Sequence, residues 1–122
     1  MKDKEFSIVA RLKSFKHAFN GLKFFFINEH NGRVHLFSAV FTIALSLYLN
    51  LSRLEWVAII SAILIVFAAE IFNSSIEKLA DTVTTEINPQ IKIVKDLAAA
   101  AVLITAILAA VIGAIVFLPK LF

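Results

Sequence analysis

Cysteine is missing from the chain, so disulfides, thiolate-bound zinc and a cysteine nucleophile are all excluded. Glycine is scarce: three among 122 residues cannot build the glycine-rich loops that usually cradle nucleotide phosphates. Charge is thin, at 17% of residues, and residues 97–118 carry none at all. The basic residues sit beside apolar runs and not along a soluble groove, which argues against nucleic acid as a partner. An isolated apolar segment ending at a small-residue site is lacking from the first 30 residues, so no cleavable signal is expected. What the chain has instead is hydrocarbon. Hydrophobic residues make up 60% of it and the mean hydropathy is +0.87, values that exclude an ordinary soluble domain. The expectation is one small all-α integral membrane unit spanning 1–122.

Residues 1–5 are charged and expected to fray. From 7 to 27 the pattern is an amphipathic helix, with Lys13, Lys16, Asn20 and Lys23 on one face and Phe15, Phe19, Leu22 and Phe26 on the other. Such a helix suits the headgroup plane of an anionic leaflet. The polar run 28–33, with a glycine, reads as a bend. Three membrane helices are then expected, at 34–51, 54–80 and 95–118, the last being the strongest. A hydrophilic connection at 82–92 contains Pro89, which makes an uninterrupted helix through it improbable. Lys95 and Asp96 are expected to open the last helix, where Ala106, Ala110 and Ala114 form a ridge of small residues suited to close helix packing. Lys and Arg crowd the N-terminal segment and the second connection, which adds Lys78, Lys92 and Lys95, against only Arg53 and Lys120 on the other side. The N-terminus is therefore expected in the cytoplasm and the C-terminus outside.

The chain is organised around residues 69–81. At 100° per residue, Glu70, Asn73, Glu77 and Asp81 fall at about 0°, 300°, 340° and 20°, one polar stripe on a helix that is otherwise aliphatic. Ionisable groups where a helix leaves the hydrocarbon are costly, so their default reading is functional. Oxygen ligands spaced along one face suit a hard cation such as Mg²⁺, above all one that also carries phosphates. Glu29, Lys95 and Asp96 gather at the same boundary. Carboxylates, an asparagine and a lysine together fit metal-assisted phosphoryl transfer. Two rivals stay open on the residues alone: an oligomeric channel or transporter subunit whose acids line a cation path, and a structural partner whose stripe is an interhelical hydrogen-bond lock.

The spacing Glu70-x-x-Asn73-x-x-x-Glu77-x-x-x-Asp81, followed by Lys95-Asp96 and an alanine-rich helix, resembles the prokaryotic diacylglycerol kinase and undecaprenol kinase family. Phe19-Asn20-Gly21-Leu22 and Asn28-Glu29 fit it too, so the resemblance covers nearly the whole chain. It implies a bacterial inner-membrane homotrimer of subunits with a surface helix and three transmembrane helices. Composite sites would use MgATP to phosphorylate a lipid hydroxyl, either undecaprenol or diacylglycerol. By the same resemblance Glu70 is the general base supported by Asn73, and Glu29 and Glu77 bind the metal. Lys95, Asp96, Lys13, His17 and Arg11 contact the nucleotide, and Asp81 and His35 support the site. Enterobacterial diacylglycerol kinases carry an acid where this chain has His35. That difference, with Arg33-Val34-His35 and Glu86-Ile87-Asn88-Pro89, resembles the undecaprenol kinase branch.

Overall fold

The computed structural model describes residues 7–122, so the expectation for residues 1–5 lies outside it. Four helices follow in order: α1 (Ile8–Asn28), α2 (His30–Tyr48), α3 (Arg53–Val83) and α4 (Pro89–Leu121). No strand occurs among the described residues.

Helix α1 starts where the Ser7 side chain accepts a hydrogen bond from the Ala10 amide, filling one of the orphan donors of a first turn. The bend expected over 28–33 contracts to the single residue Glu29, whose backbone is extended between two helices. Glu29 serves both helices: its amide donates to Phe25 and its carbonyl accepts from Arg33. The Arg33 guanidinium adds a bond to the Ile27 carbonyl at the end of α1. Gly32 is what makes so tight a corner possible. A Cβ there would stand 2.0 Å from the carbonyl oxygen of Phe25, so any larger residue forces the two helices apart. The glycine read as a breaker is therefore a contact point inside α2.

The serine and threonine hydroxyls of α2 satisfy themselves. Ser38 donates to the carbonyl of Val34, Thr42 to that of Ser38 and the buried Ser46 to that of Thr42. Each hydroxyl is paired one turn back on its own helix, so none needs a partner from outside. After α2 the chain turns through Asn50, whose φ of 52° is a left-handed conformation that asparagine tolerates. Ser52 and Glu55 then form a reciprocal capping box that starts α3.

Pro89 opens α4 instead of lying in the connection before it. Its missing N–H belongs to a first turn that has no acceptor anyway, and the Asn88 side chain accepts from Gln90 and Ile91. Lys95 and Asp96 thus sit in the second turn of a helix that begins six residues earlier than expected. Pro119 falls in the last turn, where it leaves the Ile115 carbonyl without an amide donor but has little helix beyond it to disturb.

Helices α3 and α4 pair antiparallel: Lys95 meets Asp81 at one end of the pair and Lys120 meets Glu55 at the other. At the second end Leu51, Ile59 and Val116 form a buried cluster flanked by Trp56 and Phe117. Of the three expected spans, α3 and α4 are long and apolar enough to cross a membrane. Helix α2, with His30, Asn31, Arg33 and His35 in its first turns, does not meet that test. At 31 residues α3 is about 46 Å long, more than the roughly 30 Å of bilayer hydrocarbon, so its polar end can stand clear of the apolar zone. Phe37, Phe41, Phe72, Leu103 and Ile104 all point outward. A surface so apolar has to be covered by hydrocarbon or by protein.

Candidate functional site

The polar stripe of α3 forms as expected, and the fold gives each member a different environment. Glu70 is buried, only 5% exposed. Its Oε1 lies 2.8 Å from Nε2 of His35 on α2, a hydrogen bond in which the imidazole N–H donates to the carboxylate form of the acid. One turn on, Asn73 Oδ1 is buried with no hydrogen-bond donor. Buried acceptors are nearly always paired, so this oxygen beside a buried acid is left open to a donor or a cation. Farther along, Glu77 and Asp81 share one cation. Lys95 donates to Asp81 at 2.7 Å and stands 3.9 Å from Glu77. Asp81, expected only to support the site, is thus the nearer partner of Lys95.

Glu29 reaches this end from the α1–α2 corner. Its side chain makes no cap bond, and Lys78 of α3 lies 3.1 Å from its carboxylate. The Lys78 ammonium also lies over the Phe24 ring, 4.7 Å from its centre, which gives the lysine two anchors at the corner. Sequence reasoning used Lys78 for topology alone; its position next to Glu77 was the available signal. Phe26 and Phe67 pack edge to face at 5.6 Å, tying α1 to α3 beneath this contact.

Other expected members are not brought in. Asp96 pairs with Lys92 at 2.6 Å on an exposed face, 100° around α4 from Lys95. Lys13, His17 and Arg11 lie exposed on α1. On a straight helix His17 is about 18 Å from Glu29 along the axis, and Lys13 about 24 Å. Among the described residues no three acidic or histidine side chains form a ready metal-binding group.

A cavity of about 280 Å³ lies between α2, α3 and α4, lined by His35, Ser38, Thr42, Ile63, Phe67 and Ala109 among others. Since Ser38 and Thr42 turn their hydroxyl protons to their own helix, the lining is mostly apolar. Its α3 side ends at Phe67, so Glu70 stands one turn beyond its edge, beside His35. The arrangement is an acid at the boundary between an apolar space and a field of carboxylates and lysines. An acid so placed is within reach of a polar group whose remainder is apolar, beside a cluster in which Glu29, Glu77 and Asp81 outnumber Lys78 and Lys95, so that a polyanion could sit there only with an added cation.

Comparison with known proteins bears on that chemistry. The family model described as prokaryotic diacylglycerol kinase matches residues 16–117. An undecaprenol kinase from Bacillus subtilis is 36% identical over 109 residues, 89% of this chain and 89% of its own length. A diacylglycerol kinase from Helicobacter pylori is 37% identical over 107 residues, 82% of this chain and 84% of its own. One from Synechocystis is 33% identical over 111 residues, 90% of this chain but 63% of that longer protein.

Proposed function

We propose, from the premise that this chain belongs to the prokaryotic diacylglycerol kinase family of membrane lipid kinases, that it transfers the γ-phosphoryl group of ATP to the hydroxyl of undecaprenol. The observation that carries the reading is Glu70: a buried carboxylate beside an apolar cavity, with an unsatisfied acceptor one turn away. In the reaction the lipid hydroxyl oxygen bonds to the γ-phosphorus and gives its proton to Glu70. The bond from that phosphorus to the β–γ bridging oxygen breaks, and ADP leaves with the electron pair. Such transfer depends mainly on positioning and charge neutralisation. Lys95, held between Asp81 and Glu77, supplies a cation for the phosphates.

Magnesium fits the donor set. Glu29 and Glu77 provide two carboxylates and Asn73 a free oxygen, and magnesium on a nucleotide commonly takes one or two carboxylates with phosphate oxygens and water. When bound it would neutralise phosphate charge. Undecaprenol is preferred over diacylglycerol because His35 replaces the acid of enterobacterial diacylglycerol kinases and because the Bacillus relative is named for that activity. The self-satisfied hydroxyls of α2 support a third membrane span. The small-residue ridge at Ala106, Ala110 and Ala114 is exposed in the single chain, as a subunit contact requires, and supports a homotrimer. Composite sites follow from the same view: Arg11, Lys13, His17 and Asp96 would serve the nucleotide of a neighbouring subunit. The Lys/Arg asymmetry supports a site at the cytoplasmic face of the bacterial inner membrane.

The test is transfer from radiolabelled ATP by purified protein, with undecaprenol, diacylglycerol and ceramide offered side by side. Label in undecaprenyl phosphate is expected. Label mainly in phosphatidic acid would move the substrate to diacylglycerol, and none in any lipid would end the kinase reading.

A further inference from the structure

His35 is the histidine that touches the reacting end of α3. Its bond to Glu70 is the only side-chain hydrogen bond joining α2 to α3 among the described residues. The Glu70 carboxylate is almost wholly buried and His35 is its single hydrogen-bond partner among those residues. One carboxylate oxygen is thus pinned and the second has no protein donor. The neighbouring cavity is mostly apolar and the Glu70 side chain is 7% exposed, so the acid's end of the bond is shielded from water. A base at the end of a flexible side chain abstracts a proton well only when its oxygen is held within reach of that proton.

Resting on the kinase reading above, we infer that His35 is a positioning residue for Glu70. Its Nε2–H holds Oε1 so that Oε2 is presented to the hydroxyl of the lipid alcohol. The hydroxyl proton passes to Oε2 as the oxygen bonds to the γ-phosphorus; His35 keeps its own proton and touches neither substrate. An imidazole does here what a backbone amide does for a pinned carboxylate elsewhere. An acid at this position could make the same bond only by carrying a proton itself.

Three variants test the inference in detergent-purified full-length protein, with ATP and undecaprenol kinetics for each. His35→Leu removes the donor and is expected to lower kcat by about 10- to 100-fold while KM for both substrates changes less than about threefold. His35→Gln places an amide N–H about as far from the backbone as Nε2 and should recover at least roughly a third of the wild-type kcat. His35→Asn stops one bond short and should behave like the leucine variant. Should His35→Leu fail to fold, as judged by gel filtration and thermal denaturation, the glutamine–asparagine contrast still decides. In a Glu70→Gln background His35→Leu should cost nothing further, since it acts only through the carboxylate.

Equal activity of all three variants and wild type would overturn the inference, as would a glutamine variant no better than leucine. A rise in lipid KM at constant kcat would overturn it too, making His35 a binding group instead. A wild-type protein with no transfer to any lipid would fail the kinase reading itself, a result distinct from each of these.

Discussion

The two ends of the α3–α4 pair are each closed by a lysine and a carboxylate, yet they are built on opposite principles. At the Glu55 end the one acid and the lysine facing it are matched. Glu55 completes the capping box with Ser52 and meets Lys120 at 3.1 Å, beside the buried Leu51, Ile59 and Val116. At the Glu70 end the accounts do not close. Glu77 and Asp81 compete for Lys95, Glu29 is held across an interhelix gap by Lys78, and the buried Asn73 oxygen has no donor. An ion pair that is complete stabilises a fold modestly and does nothing more. A cluster with surplus acceptors leaves oxygens for a further cation. On the proposed function, that contrast divides structural charge from functional charge in this molecule.

The largest effect should come from the buried acid. Glu70→Gln keeps the size of the side chain and an acceptor for His35, but cannot take a proton at the rate a carboxylate can. Turnover should fall by about 10³-fold, with ATP binding measured by fluorescence titration nearly unchanged. Unaltered turnover with undecaprenol in micelles would remove Glu70 from the base role and with it the functional half of the comparison. Glu77→Gln comes next. The Mg²⁺ concentration for half-maximal turnover should rise at least about tenfold and nucleotide affinity should weaken with it, since even groups that merely support a metal ligand cost that much. A wild-type Mg²⁺ titration would make Glu77 a counter-ion for Lys95 alone.

The acidic end was more legible in the sequence than its wiring. Glu70, Asn73, Glu77 and Asp81 showed themselves because acids on a mostly apolar helix are expensive and their helical spacing puts them on one face. The bond between His35 and Glu70 could not be read, because it joins residues 35 apart on different helices and no local rule sets that register. Lys78 was passed over because a lysine near a membrane boundary has a sufficient topological reason to be there. The start of α4 was available and misjudged: Asn88-Pro89 is a cap followed by a first-turn proline, but the polar composition around it read as connection. Gly32 misled for a physical reason, since close approach and chain breaking both select glycine and only the partner, Phe25, tells them apart. Arg11, Lys13, His17 and Asp96, which the family resemblance assigns to the nucleotide, lie outside the cluster of one chain, and what a neighbouring subunit would add is not written in a single helix pattern.

The smallest expected effect lies at the other end and is the control that gives the comparison its force. Glu55→Gln retains an oxygen for the Ser52 amide, because glutamine also closes a capping box, while it removes the charge facing Lys120. Only the ionic part of a half-exposed pair is lost, and that part is weak and screened by salt. Turnover should therefore stay within about twofold of wild type. The thermal midpoint should drop slightly at low salt and converge on the wild-type value as salt is raised. A tenfold loss of kcat in this variant, with the protein folded, would mean that the Glu55–Lys120 contact sets the spacing of α3 and α4 at the distant acid cluster. The two ends would then act as one device, and the distinction between complete and incomplete charge clusters would fail in the molecule from which it was drawn.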